Sequence, residues 1–318
     1  MRIAAAQLRP VWMDRAATAA RVIGAIEDAA RQGVSLIAFP EAYLAGYPFW
    51  LCRTNGAAFD DPSQKRAFAR FLDAAVETDA PELRAIVEAA RDHGVAVWLG
   101  TNERGTGAAR HSVYCSLLTI LPERGLVGVH RKLVPTYDEK LCWAPGDARD
   151  LRLHEVEGIC IGGLNCWENL MPLARFALYA GGEELHISVW PGNPSVSTDP
   201  ARIVAVEGRV WSMNVNGLLT LDDVPDDFEL KAEMKAAGHH RIFDGGSAIL
   251  APGGAVVAGP LIGEEGLLIH DIDLGAVRAE RQALDAAGHY HRADLFEVTV
   301  DRRRRTALQD RRDSCRDD

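Results

Sequence analysis

The chain has 318 residues, enough for one large α/β domain or two small ones, and 47% of them are hydrophobic, enough for a sizeable core. Its net charge of −10 argues against a nucleic-acid partner or an anionic membrane surface. No apolar run reaches the roughly 18 residues a membrane span needs, no signal peptide is visible at Met1-Arg2, and six cysteines without CxxC spacing point to the reduced cytoplasm and to no metal site.

Residues 3–8 read as a strand. Asp14 can cap a helix whose Val22, Ile23, Ile26, Ala29 and Ala30 share one apolar face, ending at Gly33. Residues 34–39 form a short apolar strand that ends in Pro40-Glu41, and this β-α-β opening favours a sheet covered by helices. Glu41 is the first charged residue after that strand, and the aromatic loop Tyr43 to Trp50 follows it. A carboxylate at the carboxyl edge of a strand is where α/β proteins place sites; a surface glutamate beside a turn is the plainer alternative.

Residues 63–76 and 81–93 read as helices, the second capped by Asp79 and stopped by Gly94. Strands follow at 95–100, 113–121 and 126–133, the last two joined by a Pro122-Glu123-Arg124-Gly125 turn. Both faces of 113–121 are largely apolar, as in a sheet sandwiched between layers. The strand from 126 delivers His130-Arg131-Lys132, which reads either as a solvated rim or as Lys132 turned inward to hold negative charge. Glu139 comes next, near Trp143 and the Pro145-Gly146-Asp147 turn.

A hairpin over 151–164 leads to Cys166. There an apolar strand gives way to a helix with Met171, Leu173, Ala174, Ala177 and Leu178 at helical spacing, stopped by Gly181-Gly182. A thiolate at a helix start gains from unpaired N–H groups and the helix dipole, so the position suits a nucleophile. A small buried hydrophobe is the competing reading. A strand at 185–190, a helix at 200–211 and a strand at 217–221 follow, then an acidic excursion or lid at 222–240. Strands at 245–250, 255–257 and 266–272 form a terminal meander, 273–284 is helical, 295–300 is a last short strand, and an Arg-rich tail ends the chain.

Three of these stretches, in this order, resemble the nitrilase superfamily of carbon–nitrogen hydrolases. They are Phe39-Pro40-Glu41-Ala42-Tyr43-Leu44-Ala45-Gly46-Tyr47-Pro48, His130-Arg131-Lys132-Leu133-Val134-Pro135-Thr136 and Gly162-Gly163-Leu164-Asn165-Cys166-Trp167-Glu168-Asn169. Cys-Trp-Glu-Asn followed by Met171-Pro172-Leu173-Ala174-Arg175 is similar to the nitrilase branch proper. Further similar runs lie at 143–147, 203–208, 245–247 and 288–292, so the resemblance covers about residues 3 to 300. Asn165, where nitrilases more often carry an apolar residue, is a small departure that bears on substrate preference.

The resemblance implies a four-layer α-β-β-α sandwich of the α/β class. It implies a catalytic domain over 1–284, with 285–318 an extension at a subunit interface of a homodimer or larger spiral. It implies Cys166 as nucleophile, Glu41 as general base, Lys132 with the Trp167 N–H as stabiliser of the tetrahedral intermediates, and Glu139 as holder of the Glu–Lys pair. A nitrile would become a carboxylic acid and ammonia through a thioimidate and a thioester, with no metal or cofactor. Tyr47, Trp143, Trp167 and Trp190 are the candidate substrate-binding residues, and their rings point to an aromatic or arylaliphatic nitrile; ordinary core packing is the plainer reading. An amidase or carbamoylase, or a cyanide-degrading enzyme, would use the same site. A cysteine hydrolase with a histidine base, or an interaction protein without activity, is the more distant alternative.

Overall fold

A computed structural model describes residues 1–304. Among the described residues, thirteen strands form two sheets. In chain order they are β1 (Arg2–Gln7), β2 (Leu36–Leu44), β3 (Ala96–Arg104), β4 (Val113–Leu121), β5 (Gly125–Arg131), β6 (His154–Val156), β7 (Ile159–Asn165), β8 (Leu185–Trp190), β9 (Trp211–Asn216), β10 (Leu218–Thr220), β11 (Arg241–Leu250), β12 (Val256–Ile262) and β13 (Gly266–Asp271). The first sheet runs β13-β1-β2-β3-β4-β5 and the second β10-β11-β9-β8-β7-β6, with β12 paired to β11.

The two sheets face each other. Leu36, Ala38 and Trp98 of the first pack on Ile161, Ile187 and Met213 of the second. The outer face of the first sheet carries helices Arg15–Arg31 and Pro81–His93, through Val22, Ile26, Leu83 and Ile86. Helix Pro194–Gly208 covers the second sheet, placing Ala201 and Ala205 on Ala248 and Leu250. This is the expected α-β-β-α sandwich. Strands buried on both faces read as continuous apolar runs, and all nine residues of β2 are buried.

Several local expectations change. Pro40 does not end its strand, because β2 continues to Leu44 through an irregularity. Ala80, not Asp79, occupies the N-cap position of helix Pro81–His93, which has no side-chain cap, while Asp61 caps Pro62–Ala74. The helix expected at 200–211 spans Pro194–Gly208, with Asn193 as its cap, Pro194 in its first turn and Pro200 inside it. Residue 211 instead opens β9, a central strand that the valine-rich run conceals. The terminal meander is divided, because β13 leaves the second sheet and pairs antiparallel with β1. Residues 295–300 form no strand. The acidic excursion at 222–240 is folded onto the body, where Phe228 packs on Trp12 and Trp50 at ring distances of 4.8 and 5.8 Å.

The irregularity in β2 places the first site residue. Between the pairs Phe39↔Leu99 and Leu44↔Thr101, five steps of β2 pass two of β3, and Ala42 takes a left-handed φ of 50°. Strict alternation would send residue 41 to the helix-covered face with Ile37 and Phe39; the bulge re-aims it. Gly100 makes room for the excursion. A Cβ there would lie 1.9 Å from the Pro40 carbonyl oxygen and 2.7 Å from the Glu41 Cα. Gly100→Ala is therefore expected to cost about 1–3 kcal/mol by overpacking against backbone, read as a lowered midpoint in denaturant. An unchanged midpoint would mean that the bulge has slack.

Candidate active site

Glu41, Lys132, Glu139 and Cys166 converge from four segments: the bulge in β2, the ends of β5 and β7, and the turn Tyr137–Leu141. Lys132 follows β5, where its backbone N–H donates to the Cys115 carbonyl at 2.7 Å and its carbonyl accepts from Gly146 at 2.8 Å. The basic run is no solvated rim: Lys132 is 1% exposed, Arg131 turns to the other face to pair with Glu103, and His130 is buried against Glu168 at 3.1 Å.

The Lys132 ammonium sits between two carboxylates, donating to Glu41 Oε1 at 2.8 Å and to Glu139 Oε2 at 2.7 Å. Glu139 lies in the turn Tyr137–Leu141, and both of its carboxylate oxygens have donors. Its Oε2 also takes the Thr136 N–H at 2.6 Å, and its Oε1 takes the Tyr47 hydroxyl at 2.7 Å. Glu41 differs. Its Oε1 accepts from Lys132 and, at 3.5 Å, from the Cys115 thiol, while its Oε2 is buried without a partner. A bare buried carboxylate oxygen is costly, and it is the oxygen free to receive a proton.

Cys166 Sγ and one carboxylate oxygen each from Glu41 and Glu139 lie within 4.8 Å of one another. Such a trio could hold a cation in geometric terms, but Lys132 already directs its ammonium to both carboxylates. Burial pushes the Glu41 carboxyl up to about 7, against the pull of Lys132. Burial also pushes the Cys166 thiol well above its ordinary value, with Lys132 and the Trp167 backbone N–H drawing it down and both glutamates pushing it up. Lys132 is held well above its ordinary value: burial lowers it, but Cys166, Glu41 and Glu139 outweigh that.

The expected helix dipole does not reach the sulfur as anticipated. Cys166 opens a short 3-10 turn, Cys166–Leu170, and the α-helix starts only at Pro172. No helix dipole therefore offsets the burial that pushes the Cys166 thiol up. Its φ is +49°, a left-handed conformation that costs a β-substituted residue about 1 kcal/mol or more.

The residues after the cysteine hold that turn. Glu168 bridges the two sheets: its Oε2 accepts the Asn165 N–H at 2.8 Å and its Oε1 accepts the Leu133 N–H, just beyond Lys132. Burial raises the Glu168 carboxyl, and the His130 imidazole and the two backbone N–H groups more than offset this, leaving it below the ordinary range. Asn169 donates to the Cys166 carbonyl at 2.8 Å, its Oδ1 accepts from Ser188 and faces His186, and its carbonyl accepts from Arg175. The sequence signal for His130, Glu168 and Asn169 was their place in the motifs, without roles; His186 and Asn102 carried no signal.

Two of the four aromatic candidates stand at the cluster. Tyr47 bonds Glu139, and Trp143 lies 5.3 Å from Tyr47 and 5.4 Å from the Lys132 ammonium, its N–H on Asn102. Trp190 is buried at the end of β8, beside the end of β7. Trp167 is 48% exposed, so its ring covers the outside of the turn. Asn165 is fully buried; its Oδ1 lies 4.0 Å from the Cys115 sulfur and its amide nitrogen is unpartnered. A narrow cleft of about 20 Å³, lined by Pro40, Glu41, Tyr47, Gly217 and Phe243 among others, reaches Glu41.

A profile of the family described as carbon-nitrogen hydrolase matches residues 2–282. The chain is 35% identical over 301 residues to a protein named nitrilase 2 from an unknown prokaryotic organism, covering 94% of this chain and 92% of the relative. It is 32% identical to an aliphatic nitrilase of Rhodococcus rhodochrous, covering 96% and 84%, and 30% identical to an arylacetonitrilase of Macrophomina phaseolina, covering 96% and 92%. Among solved structures, an amidase from Nesterenkonia sp. superposes with a TM-score of 0.64 at 21% identity, over 89% of this chain and 94% of that one.

Proposed function

The chain belongs to the carbon–nitrogen hydrolase family, and on that premise we propose that it is a nitrilase, converting an organic nitrile and two waters into a carboxylic acid and ammonia. The buried Glu41–Lys132–Glu139 cluster around the Cys166 sulfur supports the hydrolytic chemistry, and the likeness to relatives named nitrilases is the observation that favours a nitrile over an amide.

In the proposed sequence Glu41 takes the thiol proton of Cys166 as the sulfur adds to the nitrile carbon, and the nitrogen gains a proton to give a thioimidate. Water adds, ammonia leaves, and a thioester remains. A second water, activated by Glu41, releases the acid and returns the thiol. Lys132, fixed between two carboxylates, faces the negative charge that builds on the intermediates, where the Trp167 N–H assists. Glu139, with donors on both oxygens, positions Lys132 instead of exchanging protons.

A base must be ionised to act. With Glu41 pushed up to about 7 by burial, kcat/KM is expected to fall as pH drops below about 7 and to hold above it. A pH profile whose acid limb lay near the ordinary carboxylate value of about 4.3 would count against Glu41 as base.

The aromatic or arylaliphatic preference remains part of the proposal. Its support is the aromatic cluster at the site, where Tyr47 meets Trp143 and Phe243 edge to face at 5.3 and 5.4 Å; relatives carry both aliphatic and arylaceto names. We also propose a homo-oligomer, because Leu170, Leu173, Ile203 and Val206 are exposed on and around the helices beside Cys166. The extension from 285 is proposed to join that interface. His291 meets Phe176 at a tilt, ring centroids 5.0 Å apart, and Val300 packs near Leu178, while Tyr290, Leu295 and Phe296 are exposed. A cytoplasmic setting is supported by five free cysteines among the described residues, none of whose helices is long and apolar enough to cross a membrane.

Ammonia release from aliphatic, arylaceto and aromatic nitriles, each beside its matching amide, tests the reading. Nitriles are expected to react faster than their amides. Faster amides would make the chain an amidase of the same family, and turnover of cyanide alone would sink the substrate class.

A further inference from the structure

We propose that Cys115, which takes no part in bond making, is a positioning residue for Glu41: its thiol donates to Glu41 Oε1 and so leaves Oε2 as the oxygen that takes the Cys166 proton. This rests on the reading of Glu41 as the base. Cys115 lies in β4 and is 1% exposed. Its sulfur is 3.5 Å from Glu41 Oε1 and 4.0 Å from Asn165 Oδ1. A thiol has one proton to donate, and it goes to the nearer, charged acceptor. Its backbone carbonyl meanwhile accepts the Lys132 N–H at 2.7 Å. One residue is thus tied to both halves of the Glu41–Lys132 pair.

The consequence is an asymmetric carboxylate. Oε1 holds two donors, Lys132 Nζ at 2.8 Å and Cys115 Sγ, whereas Oε2 has none. The groups around Glu41 are Lys132 from the end of β5, Glu139 from the turn beyond it, Tyr47 from the loop after β2, Cys115 from β4 and Cys166 after β7. Among the described residues only Lys132 and Cys115 donate to it. Removing Lys132 would change the charge of the cluster; replacing Cys115 changes a donor and no charge. Burial keeps the Cys115 thiol well above its ordinary value, so it remains a donor wherever Glu41 titrates.

The sign follows from the donor. A hydrogen bond to the charged form favours that form, so losing it makes the carboxylate harder to ionise. Cys115→Val removes the donor and adds one methyl group, and Cys115→Ser keeps a hydroxyl on a shorter arm. Two readouts are needed: the acid limb of kcat/KM, and the 13C carboxyl titration of Glu41 in labelled protein, assigned against Glu41→Gln.

For Cys115→Val both are expected to move up by about half a pH unit, roughly a 3-fold loss of kcat/KM below the limb. Cys115→Ser should move less. An unmoved titration in Cys115→Val, or equal shifts in the two variants, overturns the proposal, because volume and not the donor would then be at work. If the titration moves as expected but the limb of the unsubstituted enzyme does not track it, the placement of Cys115 stands and Glu41 as base fails.

Discussion

Cys166→Ala is expected to abolish ammonia release from every nitrile the unsubstituted protein accepts, by at least about 10⁴-fold, since the loss of a covalent nucleophile removes the pathway and not merely one contact. The variant should still fold. Alanine keeps the Cβ, so the left-handed φ of +49° costs it what it costs cysteine. The Glu168 and Asn169 bonds that hold the turn engage backbone groups of Asn165, Leu133 and Cys166, not the sulfur. Unfolding midpoints within about 1 kcal/mol of each other would establish that activity was lost without the fold. Residual turnover above about one part in a hundred would place the nucleophile elsewhere. The buried Cys115 would then be the first to test, since it is the other thiol in contact with Glu41.

The proposed site was legible because the sequence marks it three times in a similar way, with a reactive side chain where an apolar run gives out: Glu41 after Phe39-Pro40, Lys132 after β5 and Cys166 after β7. Spacing alone left a surface glutamate and a basic rim open, and the ordered motifs closed that gap. What periodicity could not show is conformation. The bulge that turns Glu41, the αL φ of Cys166 and the 3-10 turn ahead of Pro172 depend on what packs across from them, as Gly100 does against Pro40. Nor does a strand's pattern say which sheet it joins. Residues 266–271 alternate acceptably for either, and the pairing of Arg2 with Asp271 through Gln7 with Gly266 decides for the first. β9 was missed for a related reason: Val204, Val206 and Val210 carry an apolar period through the helix end into Trp211, and Arg209, in the left-handed conformation, breaks the helix where glycine would have been the usual signal. Cys115 looked like one more apolar strand residue, because a thiol in such a run is indistinguishable from packing until an acceptor stands opposite it.

Lys132→Met is the second large effect expected, and it strikes stability and chemistry together. The methionine keeps the length of the side chain and removes the cation from between two buried carboxylates. Breaking a buried pair from one side costs about 3–5 kcal/mol, because the partners are left uncompensated. The carboxylates answer by binding a proton. Glu41, already pushed up to about 7 by burial with Lys132 pulling the other way, then stays protonated through neutral pH and cannot act as base. The intermediates also lose their facing charge, so a fall in kcat of at least about 10³-fold is expected. Lys132→Met combined with Glu139→Gln separates the two consequences. Removing one carboxylate along with the ammonium restores the charge balance of the cluster, so the double variant should recover much of the lost stability while kcat stays down. Recovery of activity alongside stability would show that Lys132 serves only to neutralise its neighbours. A single variant as stable as the unsubstituted protein would show that water already reaches the cluster, whose Lys132 and Glu41 side chains are buried to 0% exposure.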